Sequence, residues 1–204
     1  MVTHDSKHAR QHILAVAQQI VGRKGFSAVG LNEVLQAAQV PKGSFYHYFS
    51  SKDAFGQALL EDYFESYSAD MQQLFSSDQP ESRKLLLYWQ NWIASQTAPG
   101  DCGKCLAVKL GAEVADLSEA MRQALEQGTS RIIACLAAAL ARGQAQGSLN
   151  LDQPPEPLAA QLYALWLGAS VMAKISRTDT PLHEALALTR QVLGSATATL
   201  QINA

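Results

Sequence analysis

No stretch of about eighteen consecutive apolar residues occurs in the chain, so a membrane-spanning helix is not expected. The first eight residues, Met1 to His8, lack the apolar core and cleavage site of an export signal, and a cytoplasmic location is the expectation. Cysteine is scarce. Three in 204 residues, an odd number, argue against a disulfide framework and leave thiol chemistry or simple burial. Charged side chains make up only 17% of the chain against 48% hydrophobic ones, the balance of a soluble globular protein.

What charge there is has been sorted. Residues 1–52 hold six Lys or Arg against two acids, a net of +4, which leaves −6 for the remainder. A basic end on an acidic body suits a chain that meets a polyanion at one end only.

The apolar residues recur with helical spacing almost throughout. Ile13, Leu14, Ala17, Ile20 and Val21 form one stripe that stops at Arg23, Lys24 and Gly25, cations in a last turn and glycine at the exit. Leu31, Val34, Leu35 and Ala38 predict a short second helix. Gln39 and Val40 then make a tight connection, and Pro41 suits the first position of a third helix, where a missing N–H costs nothing.

That third helix opens the stretch "PKGSFYHYFSSK", residues 41–52. Phe45 and Phe49 stand four apart and can share a buried face. Gly43, Ser44, Tyr46 and His47 then face outward, flanked by Lys42 and Tyr48. A short helix, a tight turn and a second helix with a polar, aromatic and cationic outer face form a helix-turn-helix, whose second helix fits the major groove. Gly43 permits close approach, Ser44 and His47 can reach base edges, and Lys42, Tyr46, Tyr48 and Lys52 can hold phosphates.

From Gly25-Phe26 through Val34-Leu35, Ala38-Gln39-Val40, Lys42-Gly43, Tyr46, Phe49 and Lys52, the chain resembles the DNA-binding signature of the TetR family of bacterial transcriptional regulators. The family often has Thr near Val29-Gly30 and Gly where Gln39 stands. Gly30 must therefore cap the second helix without a side chain, and Gln39 is strained if its φ is positive. The resemblance implies an all-α homodimer, without cofactor or metal, that reads a palindromic double-stranded operator. Residues 1–52 would form the DNA-binding domain, and residues 53–204 a helical regulatory and dimerisation domain that takes an inducer.

The remaining sequence agrees with an all-α body. Helices are expected over residues 52–75, 81–97, 104–114, 118–145, 157–177 and 181–200, with proline- or glycine-rich breaks between them. Residues 158–175, "LAAQLYALWLGASVMAKI", are apolar nearly all round. One stripe suffices to dock a helix, so the second face is expected to meet a partner chain.

Cys102 and Cys105 form a C-x-x-C within "PGDCGKCLAVKL". Zinc needs about four ligands, and only Cys135 and His183 are left to complete a set, without paired spacing. A thioredoxin-like site needs a βαβ context that is absent. Sensing and plain burial remain open. For sensing, a helix from about Lys104 would put Cys105 in its first turn, where the dipole, Lys104 and Lys109 favour thiolate. Lys174, the one charge in the apolar 158–175 stretch, must reach solvent or find an acceptor such as that thiolate. Within the TetR family, "KCLAVKLGAEVADLSEAMR" and "LYALWLGASVMAKISR" are similar to stretches of a regulator of electrophile detoxification, and Cys105 matches its sensing cysteine. The resemblance implies a repressor that leaves its operator when electrophiles or oxidants modify Cys105, with Cys102 as a resolving thiol; Cys135, inside "RIIACLAAALA", reads as core packing. A non-covalent apolar inducer in a pocket lined by Trp89, Trp92, Tyr163 and Trp166 is the alternative. A thiol enzyme is the remote one, since His4, His8, His12 and His47 belong to the basic end and only His183 could serve as its base.

Overall fold

The computed structural model describes residues 2–97 and 105–194, and every helix and side chain below lies within them. Among the described residues there are nine α-helices and no strand: α1 (Val2–Lys24), α2 (Leu31–Ala37), α3 (Lys42–Tyr48), α4 (Lys52–Phe75), α5 (Glu81–Thr97), α6 (Leu106–Ala115), α7 (Glu119–Ala145), α8 (Pro155–Ser176) and α9 (Thr180–Val192). The all-α expectation holds.

The packing forms two compact units. The first takes in the expected DNA-binding segment and adds the start of α4, all of α6 and the start of α7. In it most of the stripe read from the sequence is buried: Ile13, Leu14, Ala17 and Val21 of α1 are fully enclosed and Ile20 is half-buried, and Val34, Leu35 and Ala38 pack against them. The rings of Phe45, Phe49 and Phe55 meet at 5.1–5.5 Å between centroids. Aromatic pairs at this spacing contribute about 0.5–1.5 kcal/mol each beyond their burial, which holds α3 against α4. The side-chain amides of Gln11 and Gln18 donate to the Asp62 carboxylate and tie α1 to α4.

The second unit combines the end of α4 with α5, the rest of α7, α8 and α9. Its centre is Trp89 stacked on Trp166 at 4.7 Å, with Trp92 edge-on to Trp166 and Tyr163 edge-on to Trp92. Trp92 Nε1 donates to Ser170 Oγ and Trp166 Nε1 to Thr189 Oγ1. Glu81 and Lys84 are buried together: Lys84 donates to the Phe75 carbonyl and the Glu81 carboxylate, and the exposed Arg142 adds a 2.9 Å bond from Nε to Glu81. At 22 residues α8 has the length and composition of a membrane span. Yet its Leu158, Ala159, Leu162, Tyr163, Trp166 and Ala169 are buried in this core.

Candidate DNA-reading helix and cysteine site

The turn between α2 and α3 is built by backbone hydrogen bonds. Gln39 N–H donates to the Gln36 carbonyl at 3.1 Å and Val40 N–H to the Leu35 carbonyl at 2.9 Å, the paired bonds of a Schellman motif. That motif needs a left-handed residue, and Gln39 supplies it with φ 56°, at the cost its side chain implies. His12 Nε2 lies 3.1 Å from the Ala38 carbonyl and pins the turn to α1. Gly30 caps α2 with no side-chain hydrogen bond, as expected, while Pro41 is the cap of α3 rather than its first helical residue. With φ −59° and ψ 142° Pro41 is still extended, so the helix begins one place later.

This geometry splits α3 in two. Phe45 and Phe49 are buried, and Lys42, Gly43, Tyr46 and His47 are exposed, Tyr46 at 65%. Ser44, Tyr48 and Lys52 lie half-buried at the edges of that face. Lys52 Nζ sits 5.1 Å from the centre of the Phe26 ring and Arg10 lies 5.3 Å from that of Phe49. Cation–π contacts of this kind steady a long side chain without removing its charge. One face therefore carries donors, cations and a glycine on a helix whose other face is locked into the core.

The cysteine site differs in detail from expectation. α6 begins at Leu106, and Cys105 is its cap, with φ −59° and ψ 117°, accepting the first helical bond from Lys109 N–H at 3.1 Å. Its side chain is 4% exposed, so Cys105 sits before the first turn and is enclosed. Cys102 and Lys104 lie outside the described residues. Lys174 is exposed in the last turn of α8 and belongs to the second unit, whereas Cys105 belongs to the first. Cys135 is half-buried. Burial pushes its thiol pKa up, the Glu81 carboxylate adds to this, and the Arg142 charge opposes both.

Trp89, Trp92, Tyr163 and Trp166 come together as expected, but as a packed cluster in which none is more than 4% exposed. His183 pairs with Asp179 at 3.3 Å. Among the described residues no group of three or more His, Cys, Asp or Glu could hold a metal ion.

Comparison with known proteins decides the family. Residues 13–59 match the model of bacterial regulatory proteins of the tetR family, and residues 82–189 match the tetracyclin repressor-like C-terminal domain. The chain belongs to the TetR family. It is 42% identical to the HTH-type transcriptional repressor NemR of Escherichia coli strain K12 over 96% of this chain and 98% of that one. It is 32% identical to the repressor DhaR of a Mycobacterium species, covering 90% and 91% of the two chains. The crystal structure of the reduced form of E. coli NemR superposes with a TM-score of 0.88, covering 93% of this chain and 99% of that one. As a TetR-family regulator the chain binds DNA, and the matched N-terminal region contains α2, the Gln39 turn and α3.

One group in the first unit escaped the sequence reading. Glu113 of α6 accepts hydrogen bonds from the backbone N–H of Ser27 at 2.6 Å and of Phe26 at 3.2 Å. Burial works to raise its pKa, yet hydrogen bonds from Ser27 and Phe26 and the charge of Lys109 outweigh it and hold the carboxyl below its ordinary value. Spaced four residues after Lys109, Glu113 reads in sequence as half of an ordinary helix surface pair.

Proposed function

We propose that this TetR-family protein is a cytoplasmic repressor that binds a palindromic operator as a homodimer and releases it when a small electrophile or oxidant modifies Cys105. Residues 1–52 would read the DNA and residues 53–204 would carry sensing and dimerisation. The observation that carries the reading is the place of Cys105: it caps α6, the helix whose Glu113 grips the Phe26–Ser27 backbone within residues 1–52. Lys109 lies one turn along α6 and donates its backbone N–H to the Cys105 carbonyl. The relative NemR is named a repressor and its crystal structure is of a reduced form, which supports both halves of the proposal.

With an α,β-unsaturated carbonyl, the sulfur bonds to the β-carbon and the thiol proton ends on the α-carbon. Hypochlorous acid would instead leave a sulfenic acid, releasing chloride and a proton. Either change adds bulk to an enclosed position, where packing has no slack. α6 must then shift, and a reading head displaced with it loses base and phosphate contacts together. Cys102 would serve as a resolving thiol.

The test is operator binding by fluorescence anisotropy, using DNA from upstream of the chain's own gene, during titration with acrolein or hypochlorite. Wild-type and Cys102→Ser proteins should release DNA, and Cys105→Ser should hold it through at least a tenfold excess of the dose that releases wild type. Release of Cys105→Ser at wild-type doses would refute Cys105 as the switch; the second reading, a non-covalent apolar inducer among Trp89, Trp92, Tyr163 and Trp166, predicts release by an unreactive apolar ligand from both proteins. That reading is favoured by Trp89 Nε1, a buried donor with no acceptor among the described residues, which an inducer's oxygen could satisfy.

A further inference from the structure

We propose that Glu113 is a positioning residue for DNA binding: through the Phe26–Ser27 backbone it fixes the aromatic seat of Lys52, the cation next to the reading helix. The inference rests on the DNA-binding reading above but not on the cysteine switch.

Each step of the connection is a contact within the first unit. Both carboxylate oxygens of Glu113 are engaged, Oε1 by Ser27 N–H and Oε2 by Phe26 N–H. The chain comes this close because Gly25 precedes them with φ 90°; a Cβ on Gly25 would stand 2.8 Å from Oε2. The carboxylate thus takes the place that a side chain would need.

The Phe26 ring lies over Phe55 at 6.5 Å and is only 4% exposed. A Cβ on Gly56 would stand 2.7 Å from Phe26 Cζ and 2.3 Å from Met121 Sδ. The slot that receives Phe26 therefore has one acceptable depth. Above the ring sits the Lys52 ammonium, 5.1 Å from its centre. Lysine otherwise loses much rotamer freedom on binding a phosphate, and a seat that limits its freedom beforehand lowers that cost.

Glu113 also links this seat to Cys105. The two are eight residues apart on one helix, about 12 Å along its axis at 1.5 Å per residue. Movement of α6 from either end is movement of the carboxylate. The charge on Glu113 is needed because a neutral amide offers one acceptor oxygen and turns its NH2 toward a backbone donor.

The experiment uses full-length, unmodified protein and operator DNA. Glu113→Gln should bind about tenfold more weakly, the range of a lost charge-assisted hydrogen bond. The slope of log K against log salt should fall by about one phosphate contact. In a Lys52→Ala background Glu113→Gln should cost nothing further, because both substitutions remove the same contact. Glu113→Asp keeps the charge but withdraws it by one methylene, and should weaken binding in the same direction. Wild-type affinity and slope in Glu113→Gln, or losses that add fully in the double variant, would overturn the proposal. If neither variant unfolds cooperatively the role of Glu113 is structural, and the proposal falls. Wild-type protein that bound no duplex would sink the DNA-binding reading itself, and this inference with it.

Discussion

Gly43 has no heavy atom within 4 Å of the position its Cβ would occupy, and it faces outward near the start of α3. Internal packing therefore does not ask for glycine there, and helix propensity disfavours it by about 1 kcal/mol relative to alanine. Gly43→Ala is expected to raise the melting temperature by roughly 2–4 °C. Operator affinity should fall on the order of tenfold, comparable to one misfitted base pair. Calorimetry and anisotropy on the same preparation check the two directions, and an alanine that stabilises without weakening DNA binding would remove Gly43 from the interface. Gln39 is the reverse case. Its positive φ is required by the turn, and the left-handed conformation costs a side-chain-bearing residue roughly 1–2 kcal/mol. Both positions were legible in the sequence, since each belongs to a local pattern of a few residues. Glu113 was not, because its partners lie 86 and 87 residues away.

At the scale of elements, α6 sets the chemistry of the thiol. Cys105 caps the helix without a side-chain cap hydrogen bond, and its 4% exposure narrows the approach of reagents. Access should therefore decide selectivity. Acrolein or hypochlorite is expected to modify Cys105 at least tenfold faster than a maleimide carrying a polyethylene glycol chain, and denaturant should erase the difference. Mass spectrometry of tryptic peptides over time checks this, and equal rates in the native protein would show that the site is open. Cys135 should need a more alkaline pH than an unhindered thiol, because burial and Glu81 raise its pKa against Arg142. Helix ends show the same mixture of local and distant causes. The spans 52–75 and 81–97 agree with α4 and α5, each followed in sequence by a proline-containing break, whereas α6 starts two residues later than 104. There the φ and ψ of Cys105 are extended, and nothing in its residue type announces that.

For the whole molecule, the outward face of α8 is the informative surface. Val171, Met172 and Ile175 are 44%, 51% and 69% exposed, and Leu188 of α9 is 45% exposed, all within the second unit. Ala164 and Gly168 extend the same stripe, and nothing lies within 4 Å of a Cβ built on Gly168. A second copy of the chain covering this stripe fits the proposed homodimer. Ile175→Asp should leave the monomer's stability within about 0.5 kcal/mol, since the side chain is on the surface. It should nevertheless shift sedimentation to monomer and weaken binding to a palindrome by about 100-fold or more, as two linked half-sites become separate ones. A variant that stays dimeric would place the interface elsewhere.

By itself, the sequence determined the all-α class, the buried stripe of α1, the two faces of α3 and the glycine-like strain at Gln39. These follow from helical periodicity and from hydrogen bonds between residues at most five apart, so neighbours in the chain carry the whole signal. Only the tertiary structure decided that Cys105 is enclosed, that Lys174 and Cys105 fall in different units, that the four aromatic residues fill a core, and that Glu113 holds Phe26 and Ser27. Those facts depend on which distant segments pack together. A carboxylate four residues after a lysine looks the same in sequence whether it meets water or two backbone amides from another helix end.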